Sequence, residues 1–224
     1  MNMLHITMKL TESQSSQLIE FKEQIWAYYR ANGRPFAWRH VEDPYQVVVS
    51  EIMLQQTQVD RVIPKYTAFL KKFPTIQKLA KAQLADVLAL WSGLGYNRRA
   101  KYLHQMAQVV ISEYKGKLPT TIEGLKALPG IGPYTAGAIY AFAYNKPVPM
   151  IETNIRTVYI HHFFPIKKSV SDKDLMKVIE QTLDTKHPRE WYWALMDYGS
   201  YLKSTGVKNN AKSKHYIKQS KFQG

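Results

Sequence analysis

Two carboxylates in this 224-residue chain stand where carboxylates are seldom found. Glu51 lies inside the apolar run YQVVVSEIMLQQT, from Tyr45 to Thr57. Partial removal from water disfavours the charged form of such a group, raises its pKa and makes it a usable proton donor near neutral pH. A structural reading fits the same stretch: the carboxylate satisfies backbone amides or pairs with an arginine. Glu152 is embedded in MIETNI, just before a helix that starts near Ile155, where a neighbour of a helix cap is the plain alternative.

The elements that must carry these groups are helical. Thr11 to Arg30 places Leu18, Phe21, Ile25 and Tyr28 or Tyr29 at helical spacing after polar capping residues. Asn32 to Pro44 is loop-like; its Arg34 and Arg39 beside Trp38 suit either a plain linker or contact with a nucleic-acid backbone and base. The Glu51 run reads as a buried helix, followed by helices over Val59 to Phe73 and Leu79 to Trp91. Gly93 and Gly95 then form a turn, and Tyr96, Arg98 and Arg99 open a helix that runs to about Tyr114. An aromatic on a glycine turn beside arginines is either surface packing or a wedge for a base stack. Further helices are expected at Ser169 to Leu183 and Trp191 to Leu202. No strand pair, internal repeat or low-complexity segment is evident, so the expected fold class is all-α.

The stretch LKALPGIGPYTAGAI, Leu125 to Ile139, joins two of these helices through a turn that glycines bend closely. Ala136, Gly137 and Ala138 let the second helix pack close to a partner, and its first backbone N–H groups point outward, where they can hold an anion. Gly130, Gly132 and Thr135 thereby read as parts of a helix-hairpin-helix grip on a DNA phosphate, against the alternative of an ordinary helix–helix turn.

Composition agrees with such a partner. The net charge is +14, which points to a polyanion. From Tyr198 to the C-terminus six lysines and no acidic residue supply +6, leaving +8 for the remainder. This tail reads as a solubilising end or as a phosphate-contacting segment, with Lys212, Lys214 and Lys218 as candidates and Tyr216 and Phe222 interleaved. There is no cysteine, which excludes disulfides, thiolate zinc sites and cysteine-held iron–sulfur clusters. No apolar run reaches membrane-spanning length and no signal peptide is apparent, so a soluble cytoplasmic, nucleoid-associated protein is expected.

The segments SEIMLQQTQVDRVIPKY, GLGYNRRAKYL, LPGIGPYTAGAI and ETNIRTV together resemble, in order and spacing, the adenine DNA glycosylases of the MutY type, within the helix-hairpin-helix glycosylase superfamily. The resemblance runs from about Arg34 to Gly199. It implies a two-lobed helical fold that holds a flipped base in the cleft between lobes, with a six-helix lobe over residues 36–146 and a second lobe from residues 1–35 plus 147–224. By matching position, Glu51 corresponds to the general acid that protonates the purine N7. Tyr134 and Asn154 correspond to residues that orient and stabilise the reacting sugar. Gln56, flanked by Gln55 and Thr57, and Tyr96, beside Arg98, correspond to residues inserted into or lying along the duplex. Asp197 corresponds to a carboxylate that helps hold the flipped adenine, in a base-binding set with Arg34, Trp38 and Arg39.

Relatives that also cut the backbone carry a lysine at the place of Tyr134, whose amine forms a Schiff base. A phenol cannot, so the resemblance implies a monofunctional hydrolase. The resemblance further implies a monomer that acts on double-stranded DNA carrying adenine opposite 8-oxoguanine or guanine. Three departures stand out. The catalytic aspartate of the family falls at Glu152, whose extra methylene moves the carboxylate by roughly an ångström, a shift that can cost about a hundredfold in rate. The four cysteines that hold an iron–sulfur cluster in the family are replaced by the lysine tail, so no cofactor or metal is expected beyond the monovalent cation that such hairpins often hold. The sequence ends where relatives continue into a domain that reads the oxidised guanine. Two other readings are kept: a glycosylase for thymine or uracil opposite guanine, and a lesion-binding protein with weak chemistry.

Overall fold

The computed structural model describes residues 11–41 and 43–215. Eleven α-helices and one 3-10 turn account for its regular structure, and an isolated parallel bridge between Val170 and Ser213 is the extent of β-pairing among the described residues. The chain divides into two compact units. One comprises the described parts of Met1–Gly33, Thr153–Leu183 and Glu190–Tyr216; the other comprises the described parts of Arg34–Glu152 with Asp184–Arg189.

The larger unit holds α2 (Pro44–Leu54), α3 (Val59–Lys72), α4 (Ile76–Ala80), α5 (Leu84–Trp91), α6 (Arg98–Glu113), α7 (Ile122–Lys126) and α8 (Pro133–Tyr144). Helix α2 starts because Pro44 sits in its first turn and the Asp43 carboxylate accepts from the Tyr45 amide at 2.9 Å. It is buried nearly all round: Val47, Val48, Val49, Ile52 and Met53 are core residues. Val47 to Val49 favour a strand by propensity, and tertiary burial overrides that preference. Helix α2 packs on α8, where Ala136, Gly137 and Ala138 are all buried and leave room for a close approach.

Residues 79–91 form two helices rather than the single one expected. Gln83 takes an extended conformation as the N-cap of α5, and Lys81 closes α4. The hydrophobic spacing hides the break because Leu79, Val87 and Trp91 are buried on both sides of it.

The smaller unit contains α1 (Glu12–Asn32), α9 (Thr153–Phe163), α10 (Asp172–Thr182) and α11 (Pro188–Ser204), whose first two residues belong to the larger unit. A capping box between Thr11 and Gln14 starts α1. Its Phe21 is the centre of an aromatic cluster with Tyr159, His162, Phe163 and Trp191, ring centroids 4.9 to 6.0 Å apart. The Tyr159 hydroxyl shares a 2.6 Å hydrogen bond with Thr182 and so ties α9 to α10.

The lysine-rich stretch after Tyr198 is not a free tail over its described length. Tyr198 to Ser204 belongs to α11, and Asn209–Lys212 forms the 3-10 turn against α9. Arg156 holds both Asp172 and the Ser213 hydroxyl, while the Val170 amide donates to the Lys212 carbonyl and the Lys214 amide to the Val170 carbonyl. Among the described residues no helix is long and apolar enough to cross a membrane.

Candidate active site

Glu51 occupies the last turns of α2, within an otherwise apolar helix. It keeps part of its surface open, yet its carboxyl is surrounded by protein atoms. Burial, reinforced by the negative charge of Glu152, pushes its pKa up to about 8. Both carboxylates belong to the larger unit, so the fold brings together two acidic groups 101 positions apart in sequence. At neutral pH this arrangement keeps a neutral carboxylic acid beside a second carboxyl group, which is the division of labour that acid-assisted bond cleavage needs.

The hairpin lies in the same unit. Gly130 has φ +76°, a left-handed conformation, and a Cβ there would lie 2.6 Å from that of Tyr102 on α6. Gly132 caps α8 in an extended conformation, with open space where a Cβ would stand, and Pro133 follows at the first helical position. Helix α8 thus begins with exposed backbone at Gly132 and Pro133, and the first-turn amides of a helix have no acceptor within it. Tyr134 is half-buried on the first turn.

Among the non-glycine residues that this unit places in the left-handed region are Gln56, at φ +55°, and Tyr96, at φ +50°, on two neighbouring loops. Gln56 is exposed and Tyr96 is 46% exposed. Such conformations cost about 1–3 kcal/mol each and persist only where surrounding contacts enforce them. Here Arg99 supplies those contacts. Its Nη1 donates to the carbonyls of Ile52, Met53 and Gln55 at 2.7, 2.9 and 2.7 Å, and its Nη2 donates to Thr57 Oγ1, Leu94 O and Gly95 O at 2.9, 3.1 and 3.0 Å.

Several expected contact residues have different surroundings. Trp38 is buried, stacked on Phe36 at 4.9 Å and edge-on to Tyr66, so it is a core residue of the loop rather than an open platform. Arg39 is also buried; it donates to the Arg34 carbonyl at 2.8 Å, and both arginines lie over the Phe36 ring. Gln55 donates to Thr135 at 3.1 Å, and Thr135 is buried, so these two link α2 to α8 instead of facing outward. Thr57 accepts from Arg99. Lys212 donates to the Pro165 carbonyl at 2.8 Å and is held by its own chain. Arg98 and Lys214 are exposed, and Lys218 lies outside the described residues.

Asn154 and Asp197 belong to the smaller unit, Asp197 buried and Asn154 partly so. Gly199 brings their helices together: a Cβ at Gly199 would lie 2.5 Å from the Asn154 carbonyl oxygen. A glycine inside a strong helical pattern signals such a close approach. Asn210 escaped notice as one more polar residue of a lysine-rich stretch. It is buried and donates to the Thr153 carbonyl at 3.2 Å, at the start of α9, next to both Glu152 and Asn154. A cysteine-held iron–sulfur cluster has no donor set in this chain, and this stretch packs through the contacts of Asn210, Lys212 and Ser213.

Known proteins resemble this chain in sequence and in fold. The chain is 39% identical over 181 residues to the adenine DNA glycosylase of Mycolicibacterium smegmatis, covering 79% of this chain and 61% of the relative. It is 38% identical over 184 residues to that of Buchnera aphidicola, covering 81% and 52%. It therefore spans about half to three-fifths of the length of these relatives. Its structure is similar to that of a thermostable thymine-DNA glycosylase, with a TM-score of 0.78 at 25% identity over 92% of this chain and 99% of that one. An endonuclease III–DNA complex shares the fold, with a TM-score of 0.72 at 16% identity over 89% and 91% of the two chains. Residues 49–183 match the HhH-GPD superfamily of base excision DNA repair proteins, and the chain belongs to that family.

Proposed function

We propose that the protein is a monofunctional DNA glycosylase that hydrolyses the bond between adenine and its sugar, acting on adenine mispaired with 8-oxoguanine or guanine in double-stranded DNA. The observation that carries this reading is the burial of the Glu51 carboxyl near Glu152, which raises its pKa to about 8 and so favours the protonated acid at neutral pH. A purine expelled as an anion is a poor leaving group, and a proton placed on its ring nitrogen removes that cost. Glu51 gives its proton to N7 of the flipped base, the C1′–N9 bond breaks, and the adenine leaves. The sugar is left with cationic character that the Glu152 carboxylate stabilises. Water adds at C1′ and gives a proton to the Glu51 carboxylate, which restores the acid, and the product is an abasic site. Tyr134 and Asn154 orient the sugar, and Asp197 assists in holding the base. Tyr134 offers no amine for a Schiff base, so the strand stays intact.

Base extrusion requires the duplex to be held and its stack opened. The glycine turn at the start of α8 fits a phosphate, and exposed Gln56 and Tyr96 fit the gap left by the base. The names of the sequence relatives favour adenine, as does the proton donor, because a pyrimidine gains less from it. The solved thymine-DNA glycosylase supports a second reading, a pyrimidine opposite guanine. Duplexes with A:8-oxoguanine, A:G, G:T or G:U, incubated with the protein and then with hot alkali, separate the readings. Cleavage at adenine alone is expected. Cleavage at the pyrimidine alone supports the second reading, and tight binding without cleavage supports a lesion-binding protein.

A further inference from the structure

Neither the hairpin nor the carboxylates account for the surroundings of Arg99. This side chain is half-buried at the first turns of α6, and its guanidinium reaches acceptors from three separate segments. The carbonyls of Ile52 and Met53 belong to the C-terminal end of α2, where carbonyls lack intrahelical partners and a cation is favourable. Gln55 O and Thr57 Oγ1 flank Gln56, and Leu94 O and Gly95 O directly precede Tyr96. The same guanidinium lies over the rings of Trp91 and Tyr96, at 5.3 and 5.7 Å from their centroids. Arg61 adds a brace to the turn from α3 by donating to the Gly93 carbonyl. Gln56 and Tyr96, two of the non-glycine residues in left-handed conformations, are thus held by one fork.

We propose that Arg99 is a positioning residue that fuses the Gln55–Thr57 loop and the Gly93–Tyr96 turn into one rigid body, so that Gln56 and Tyr96 are presented to a duplex as a single wedge. The two-loop coupling is a property of the free protein; its use in a duplex rests on the function proposed above. A lysine carries the same charge on a single nitrogen with three donors and cannot serve six acceptors on both sides of a planar fork. With a lysine, each left-handed residue is free to relax on its own.

The test uses the full chain with Arg99→Lys, and hydrogen exchange read at the amides of residues 56–58 and 94–97. Exchange is expected to accelerate at least tenfold in both loops together, with residues 134–140 of α8 unchanged. Acceleration in one loop only, or in neither, overturns the proposal. If Arg99→Lys does not fold, Thr57→Val removes one acceptor and is expected to loosen both loops by a smaller factor; an effect confined to residues 56–58 overturns the proposal equally. A second arm measures mismatch-duplex affinity for Gln56→Ala, Tyr96→Ala and the double variant. The losses are expected to be non-multiplicative by at least threefold when Arg99 is present and to become multiplicative in the Arg99→Lys background. Multiplicative losses already with Arg99 refute the single wedge. If the unsubstituted protein binds no duplex, the proposed function fails, while the exchange result still decides the coupling.

Discussion

Glu51 carries a cost that the rest of the molecule must meet. A carboxyl whose pKa is about 8 in the folded protein and about 4.5 in the unfolded chain binds its proton more tightly when folded. Stability is therefore full below the unfolded value and falls as pH rises from 4.5 towards 8, by an amount on the order of a few kcal/mol. Glu51→Gln removes the ionisable group while keeping its shape. Its melting temperature is expected to exceed that of the unsubstituted protein by about 5 °C at pH 8.5 and to differ little at pH 4.5, in thermal unfolding followed by circular dichroism. The same substitution should lower single-turnover adenine release by about a hundredfold or more while leaving duplex affinity in place. In the unsubstituted protein, release should decline as pH rises through about 8, where the proton donor is lost. A flat alkaline limb would remove Glu51 from the acid role. Glu152→Asp addresses the partner: if the longer side chain limits the rate, single-turnover release is preserved or raised, and a sharp loss would show a site built around glutamate.

At the scale of elements, the hairpin depends on a glycine for two independent reasons. Gly130→Ala forces a side chain into a left-handed φ and against Tyr102, and should destabilise the protein by about 1–3 kcal/mol in denaturant unfolding. Gly130→Ala with Tyr102→Ala relieves only part of the clash, because the Cβ of Tyr102 is itself the nearest atom, so a full recovery would contradict this account. The hairpin and most helices were legible in the sequence because LPGIGPYTAGAI couples a turn, a proline start and a run of small residues within a short stretch, and because amphipathic spacing survives in helices such as α3 and α10. The split between α4 and α5 was not legible, since burial continues across it while the break depends on the backbone of Gln83. The buried state of Trp38 and Arg39 and the pairing of Gln55 with Thr135 depend on tertiary neighbours 5 to 80 residues away. Arg99 reads in sequence as one of two arginines beside an aromatic on a glycine turn. Only the meeting of α2 with the Gly93–Tyr96 turn distinguishes it from exposed Arg98.

On the scale of the whole molecule, the +14 charge bears on the proposed binding of a duplex, whereas the packing of the lysine-rich segment bears on folding. The segment through His215 is integrated into the smaller unit by the Arg156–Asp172–Ser213 contacts, by its exchange of backbone hydrogen bonds with Val170, and by Asn210 against the Thr153 carbonyl. Removing residues 208–224 therefore withdraws a structural strap together with five lysines, and a weakened complex could come from either loss. Point substitutions distinguish them. Lys208 and Lys214 are exposed, so Lys208→Gln with Lys214→Gln removes two charges and leaves the strap in place. If both lysines meet phosphates, the slope of log affinity against log salt should fall in magnitude by about 2, with an unchanged melting temperature. Asn210→Leu leaves the charge alone and takes one of its donors from the Thr153 carbonyl, which keeps that of the Thr157 hydroxyl, at the helix start that carries Asn154 and follows Glu152. It should cost about 0.5–1.5 kcal/mol in unfolding and slow adenine release while the salt slope stays constant. An unchanged slope in the lysine double variant would assign this segment to folding alone and leave phosphate contact to the larger unit. A lowered slope with intact release would make the segment a handle for the duplex as well as a strap for α9.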